Sequence, residues 1–132
     1  MTEVFADTSF HLALSNPRDQ RHQDALRLSE VFACRVVLTE YIVIELGNAL
    51  SKAPDRKVFL AMLAAFRANP QVEVLSATRE LLTKGLRLFA RSTDKDWSLT
   101  DCISFVVMRE RGIAEALTFD AHFRQAGFKM LP

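Results

Sequence analysis

Four carboxylates stand where apolar stretches of the chain end or are interrupted, and these residues are the best suited to chemistry. They are Asp7 in VFADTSF, Glu45 in YIVIELGNAL, Asp101 in WSLTDCISF and Asp120 in ALTFDAHF. Taking a carboxylate out of water is unfavourable unless a positive charge compensates it. No Lys or Arg lies within three residues of any of the four in the sequence. The pattern therefore favours a shared divalent metal ion as the compensating charge.

An all-oxygen set of this kind favours a hard cation. Carboxylates, supported by Ser, Thr or Asn oxygens and by water, match octahedral Mg²⁺ or Mn²⁺, which leave positions open for substrate oxygens. His11, His22 and His122 show no HExxH or Cys/His ligand spacing, so zinc catalysis is weakly indicated and we expect solvated surface histidines. The four glycines form no phosphate-binding loop, which gives nucleoside triphosphate hydrolysis no support.

Each of the three aspartates also has a structural explanation when it is taken alone. Asp7 and Asp120 each precede a short helical pattern and fit the N-cap position, and Ser98-x-x-Asp101 has the spacing of a capping box. Glu45 is different, because apolar residues surround it on its helix, as expected for a core helix. Capping gives no reason for all four acids to converge, whereas a common site does, and we favour the common site.

The elements that must position these acids alternate between short apolar runs and longer helical patterns. The sequence predicts strands at 4–6, 36–38, 72–75, 116–118 and 128–131, and helices at 10–14, 19–32, 40–52, 56–69, 77–91, 98–111 and 121–126. Gly112 and Gly127 stand where helix C-caps need positive φ. Strands separated by helical crossovers predict an α/β fold, with a central parallel sheet covered by helices on both faces, in one domain over residues 1–132.

That topology places the acids at one edge, because all strands of a parallel sheet end on the same side. Asp7 and Asp120 would follow strands, and Asp101 would lie in the first turn of a helix that leads into a strand. Glu45 would lie about 8 Å along the helix after the second strand. Asn48, three residues further on, would share its helix face and offer a neutral polar group. We therefore expect one acidic site at the carboxyl edge.

The bulk composition restricts the class of protein. The chain has 132 residues, 49% of them hydrophobic and 25% charged, as in a globular domain and unlike disordered or fibrous proteins. Its longest apolar run, residues 58–66, is too short for a membrane helix, and we expect a cytoplasmic protein with no membrane partner. Setting the four acids aside leaves 17 basic and 12 acidic residues, an excess that tolerates an anionic polymer.

Several other features have mainly structural interpretations. Cys34 and Cys102 lack CxxC spacing and are expected to be free, buried thiols. The apolar side of helix 56–69 is expected to be mostly core, and the apolar surround of helix 40–52 suggests that another chain covers one face. Trp97 is expected to pack in the protein rather than to stack on a base.

Four motifs in this order resemble the PIN-domain nucleases and, within them, the VapC-type toxins of bacterial toxin–antitoxin pairs. The motifs are ADTSF after the first strand, ELGNAL as an ExxN helix, SLTDCISF at a helix start, and TFDAHF before the C-terminal strand. Each motif is weak alone, but the order and the chain length together are specific. The resemblance extends over nearly the whole chain.

This resemblance implies a site, a substrate and partners. The four acids would coordinate one or two Mg²⁺ or Mn²⁺ ions and form the catalytic site, with nearby hydroxyl and amide groups in support. The acids are Asp7, Glu45, Asp101 and Asp120, and the supporting groups are Thr8, Ser9 and Asn48. The family further implies endoribonuclease activity on structured RNA such as tRNA or rRNA, a homodimer, and a cognate antitoxin that obstructs the site.

Three alternatives remain open from the sequence. A PIN-domain nuclease could process RNA without being a toxin, and a catalytically silent PIN scaffold could bind RNA or protein only. A receiver-like module could instead bind Mg²⁺ and accept a phosphoryl group. That module needs an acid pair after the first strand and an acceptor Asp after the third, whereas this chain has Asp7 alone and the sequence VEVLS.

Overall fold

The computed structural model describes residues 2–31 and 34–131. Within these ranges the strands are β1 (Glu3–Ala6), β2 (Arg35–Thr39), β3 (Val72–Leu75), β4 (Glu115–Leu117) and β5 (Lys129–Leu131). They form one sheet in the order β3-β2-β1-β4-β5, and every neighbouring pair is parallel. The predicted parallel α/β fold is therefore confirmed.

Seven helices lie between or after the strands in the described part of the chain. They are α1 (Thr8–Ser15), α2 (His22–Val31), α3 (Glu40–Ala49), α4 (Ala53–Ala68), α5 (Arg79–Arg91), α6 (Leu99–Arg111) and α7 (His122–Gln125). The predicted helix 19–32 corresponds to α2, and its predicted end at Phe32 lies outside the described residues.

The sheet has an apolar core on each face, because successive strand residues point to opposite sides. Val4 and Ala6 of β1 pack with Phe10 of α1 in one core. Phe5, between them, packs with Phe105 of α6 in the other core. The predicted covering of both faces by helices is confirmed.

Helix boundaries follow backbone chemistry more closely than apolar periodicity. Helix α3 ends at Ala49, before the predicted residue 52, because α4 begins at Ala53 with Pro54 in its first turn. Proline fits there, since its missing N–H would have no helical partner. Helix α6 ends at Arg111 as predicted, and its C-cap residue Gly112 has a left-handed φ of 67°.

The apolar side of helix 56–69, expected to be mostly core, is only partly buried. No side chain of α4 is fully buried; Phe59, Met62 and Phe66 are half-buried against the core, and Leu60 is 60% exposed. The reason is position, because α4 packs beside α3 and against β3, an edge strand of the sheet. Such a helix has only one side to bury.

The predicted surface location is wrong for His11. This residue is 5% exposed and lies between the rings of Phe10 and Phe66, with centroid distances of 5.6 and 4.9 Å. Burial lowers the pKa of His11 to about 4. The imidazole is therefore neutral and serves as a core aromatic. His22 is half-buried, and its Nδ1 lies 2.8 Å from the carbonyl oxygen of Ala13.

Other structural expectations are confirmed. Cys34 and Cys102 are free and buried. Trp97 is buried, packs edge-on against Phe105 with ring centroids 5.1 Å apart, and donates from Nε1 to Oε1 of Gln125 at 3.1 Å.

The strand order also distinguishes this fold from the receiver-like alternative. Receiver modules have the order 2-1-3-4-5, whereas β1 here lies between β2 and β4. That alternative does not fit the chain.

None of the described helices is both long and apolar enough to span a membrane.

Candidate active site

The carboxyl ends of β1 and β4 bring two of the acids together. Phe5 pairs with Ala116 and Ala6 with Leu117, and the backbone N–H of Asp7 donates to the carbonyl oxygen of Leu117 at 3.0 Å. The chain leaves both strands at the same edge, where the strand order changes direction. In open α/β sheets, ligands bind in the crevice outside the strands at such a point.

Asp7 is held at this edge by hydroxyl groups. It is 5% exposed, and its Oδ2 accepts from Ser9 Oγ at 3.0 Å and from Thr118 Oγ1 at 2.9 Å. Although Asp7 occupies the N-cap position of α1, its side chain makes no capping hydrogen bond. Burial raises the pKa of Asp7 to about 6; the charge of Asp101 adds to the rise and the hydroxyl donors oppose it.

Asp101 combines a structural contact with a place in the site. Its backbone N–H donates to Ser98 Oγ at 2.9 Å, and its Oδ2 accepts from the Ser98 backbone N–H at 3.1 Å, which completes the predicted capping box. Burial raises the pKa of Asp101, and the negative charge of Asp120 raises it further. The capping and functional interpretations of this residue are therefore compatible.

Glu45 lies on α3, and a hydrogen bond from Thr8 of α1 holds its side chain at the site. Its Oε1 accepts a hydrogen bond from Thr8 Oγ1 at 2.5 Å, across the contact between the two helices. Asn48, one turn further along α3, is exposed and is not among the residues that line the acidic pocket. The structure thus brings Glu45 and Thr8 to the site and leaves Asn48 outside it.

Asp120 is tied both to Asp7 and to its own turn. The hydroxyl of Thr118, which is fully buried, donates to Asp7 and accepts from the Asp120 backbone N–H at 3.0 Å. Asp120 Oδ1 accepts from the backbone N–H of His122 at 2.9 Å. The His122 imidazole also reaches the cluster, with Nδ1 3.2 Å from Asp120 Oδ1 and 3.2 Å from Asp101 Oδ2.

These side chains line one open pocket of about 340 Å³. Its lining contains five carboxylates and, among the described residues, no Lys or Arg. The lining residues are Asp7, Thr8, Ser9, Leu12, Glu45, Asp96, Ser98, Asp101, Asp120 and His122. A larger pocket of about 460 Å³ lies under α1, α2 and α4, but its lining is mainly apolar and contains no carboxylate in the described chain. The acidic pocket is therefore the better place for polar chemistry.

The residues present fit a divalent cation. Burial disfavours the charged forms of Asp7 and Asp101, and the neighbouring charge of Asp101 acts in the same direction at Asp7, as does that of Asp120 at Asp101. A cation that enters the pocket removes this repulsion, and carboxylate oxygens are preferred ligands of Mg²⁺ and Mn²⁺. Exposure of the pocket leaves room for substrate oxygens.

Sequence reasoning missed two titratable residues that line this pocket, Asp96 and His122, and the buried Thr118, whose hydroxyl bonds to Asp7. Thr118 belonged to a predicted strand end, although its position two residues before Asp120 was a signal for an edge contact. Asp96 lies in a polar stretch that resembles an ordinary loop. His122 was set aside because no other His or Cys stands at ligand spacing, whereas its partners are aspartates.

Similarity to known proteins identifies the family. The model of the PIN domain matches residues 4–129. The chain belongs to the PIN-domain family. This PIN-domain chain is 34% identical, over 125 residues and 95% of both chains, to the 23S rRNA-specific endonuclease VapC20 of Mycobacterium tuberculosis strains CDC 1551 and H37Rv. The crystal structure of VapC20, described as a sarcin-ricin loop cleaving toxin, superposes with a TM-score of 0.87 at 33% identity over 95% of both chains.

Two more distant structures share the fold alone. VapBC2 from Rickettsia felis, bound to a DNA fragment from its promoter, has a TM-score of 0.69 at 11% identity and covers 98% of this chain and 97% of its own. FitAcB from Neisseria gonorrhoeae has a TM-score of 0.69 at 14% identity, with 98% and 96% covered. The resemblance expected from the four motifs is confirmed at the level of the family.

Proposed function

We propose that this PIN-domain chain is a Mg²⁺- or Mn²⁺-dependent endoribonuclease that acts as the toxin of a toxin–antitoxin pair. The observation that carries the proposal is the convergence of Asp7, Glu45, Asp101 and Asp120 on one pocket whose described lining lacks Lys and Arg. These four acids would hold one or two ions. When bound, a divalent ion polarises the phosphodiester, activates water and stabilises the leaving oxygen.

The hydroxyl groups around the acids position the carboxylates. Thr8 donates to Glu45, while Ser9 and Thr118 both donate to Oδ2 of Asp7. Ser9 Oγ also accepts from the Phe119 backbone N–H at 3.0 Å, which joins α1 to the segment after β4. We therefore assign Thr8 and Ser9 to orienting the acids, because their hydroxyls already bond to carboxylates. Such supporting contacts keep ligand geometry fixed.

The substrate and partners follow the relatives. Since VapC20 is a 23S rRNA-specific endonuclease, we favour a structured rRNA loop over tRNA as the substrate of this chain. A cognate antitoxin would bind this chain and block the acidic pocket. A homodimer is supported by side chains that α3 and α4 leave exposed, with Ile44 55% and Leu60 60% exposed.

Cleavage-site mapping on 23S rRNA and total RNA tests the activity. Asp101→Asn keeps a side-chain oxygen for the Ser98 backbone N–H but removes the charge. The wild type should cut at a defined site in the presence of Mg²⁺ or Mn²⁺, and Asp101→Asn should not. Thr78→Ala is a matched control, because it removes the N-cap hydroxyl of α5 away from the pocket.

Three results would count against the proposal. An unchanged cleavage map for Asp101→Asn would remove Asp101 from the site. A wild-type chain that binds RNA but cuts neither substrate would favour the silent scaffold. Cleavage confined to precursor RNA, with no effect on growth, would favour the processing nuclease.

A further inference from the structure

One nitrogen atom stands within the otherwise all-oxygen cluster. The Nδ1 atom of His122 is 3.2 Å from Asp101 Oδ2 and 3.2 Å from Asp120 Oδ1. Ligand atoms of the three side chains all lie within 4.8 Å of one another. No other histidine belongs to the acidic pocket in the described chain, so His122 is an addition to the acid quartet.

We propose that His122 is itself a metal ligand, which binds through Nδ1 to an ion shared with Asp101 and Asp120 and makes this position selective for transition-metal ions over Mg²⁺. The inference rests on the proposed function, because it concerns an ion at the same site. It extends that function by adding a ligand and a metal preference that the four acids alone do not provide.

The distances suit coordination. Two ligands at right angles on an octahedral ion with bonds of about 2.1 Å lie about 3.0 Å apart. Both separations from the imidazole nitrogen, 3.2 Å, are close to this edge length. An ion between the three atoms therefore requires only small side-chain movements.

The fold holds the imidazole at this position. His122 is the first residue of α7, and its backbone N–H is bonded to Asp120 Oδ1. The next residue, Phe123, is fully buried and packs against Phe5 and Phe105, with ring centroids 6.3 and 4.9 Å apart. This anchor fixes the turn, so the half-buried imidazole is placed over the two aspartates.

The nitrogen changes which ions the position prefers. Mg²⁺ demands oxygen ligands and gives up its water reluctantly, whereas imidazole is a good ligand for first-row transition metals. With its proton on Nε2, a neutral imidazole leaves Nδ1 free to coordinate. We expect an ion such as Mn²⁺ to gain affinity from His122, and Mg²⁺ to gain little.

Pulsed electron paramagnetic resonance of the Mn²⁺-loaded full chain at pH 8 separates a ligand from a hydrogen-bond donor. A directly bound imidazole nitrogen gives a strong ¹⁴N modulation of the Mn²⁺ signal, and labelling histidine with ¹⁵N should replace it with a ¹⁵N signal. The modulation should persist in His22→Gln, whose histidine lies outside the acidic pocket. It should vanish in His122→Gln.

Isothermal titration supplies the second readout. His122→Gln should weaken Mn²⁺ binding about 10- to 100-fold and leave Mg²⁺ affinity nearly unchanged. If the wild type binds Mn²⁺ without a histidine nitrogen signal, the role of His122 is overturned and the acidic site stands. If the wild type binds no Mn²⁺ at all, both this inference and the proposed metal site are overturned. The labelled wild type decides the question even if the variant fails to fold.

Discussion

The two edges of the sheet carry similar numbers of charged residues but treat them in opposite ways. At the carboxyl edge, the acidic pocket gathers five carboxylates and, in the described chain, no Lys or Arg. At the amino edge, two glutamates and two arginines form a chain of three ion pairs. Its members are Glu3, Arg35, Glu73 and Arg111.

The two edges affect the pKa of a carboxyl group in opposite directions, as the two ends of β1 show. Arg111 donates to Glu3 at 2.7 Å, and this hydrogen bond lowers the pKa of Glu3. Asp7, which follows the other end of β1, has no Lys or Arg partner among the described residues, and burial raises its pKa to about 6. The paired charges of the amino edge stabilise the fold. The unpaired carboxylates of the acidic pocket favour the binding of a cation, which suits metal-dependent chemistry.

The largest expected effect separates the edges by activity. Asp7→Asn and Glu3→Gln each remove one carboxylate charge with little change in shape. We expect Asp7→Asn to lower the rate of RNA cleavage at least about 100-fold, more than a supporting contact contributes, and Glu3→Gln to leave the rate near that of the wild type. Single-turnover cleavage assays measure both. Equal losses of cleavage rate in the two variants would contradict the assignment of the activity to the carboxyl edge.

The next effect separates the edges by pH. The raised pKa means that metal-free folded protein binds more protons at Asp7 than the unfolded chain does between pH 3.8 and about 6. Stability should therefore fall as pH rises through this window, by about 3 kcal/mol at Asp7. The pKa of Asp101 is also raised, so this residue likewise lowers stability as pH rises. Glu3 has the opposite effect, because its pKa is lowered from the ordinary value of 4.5. Its contribution to stability is present above pH 4.5 and is lost on acidification.

Urea denaturation of the wild type and Asp7→Asn from pH 5 to pH 8, in the presence of a chelator, checks this sign. The variant should become the more stable protein at pH 8, because it no longer holds that charge in a buried site. If the free energies of unfolding of both proteins change in parallel with pH, the raised pKa of Asp7 is contradicted.

A smaller effect concerns the centre of the balanced network. Arg111→Met leaves Glu3 and Glu73 without this guanidinium. We expect a loss of about 1 kcal/mol in the free energy of unfolding, as for partly exposed ion pairs, with unchanged RNA cleavage. A parallel loss of cleavage would show that the two edges are coupled through α6.

Much of this arrangement could be predicted from the sequence. The strand 72–75 was predicted with its observed ends, and the four acids were expected at one edge because parallel topology imposes it. The contacts among side chains were not predictable. His122 meets Asp101 only through tertiary packing of α7 on α6, and Glu45 is directed by Thr8 on α1.

Asn48 illustrates the limit of helical spacing. Three residues after Glu45, it shares the side of α3 in projection, but it lies further from the sheet edge and is exposed. We therefore expect the smallest effect here: Asn48→Ala should change the cleavage rate by no more than about twofold, as for most surface substitutions. A loss comparable to that of Asp7→Asn would return Asn48 to the site.

The dependence of thermal stability on Mn²⁺ concentration tests the central claim most directly. At pH 8, once Mn²⁺ exceeds its dissociation constant, each tenfold increase should stabilise the wild type by about 1.4 kcal/mol per bound ion. Glu3→Gln should respond in the same way, and Asp7→Asn should respond weakly or not at all. Parallel increases in all three proteins would contradict a cation site at the carboxyl edge.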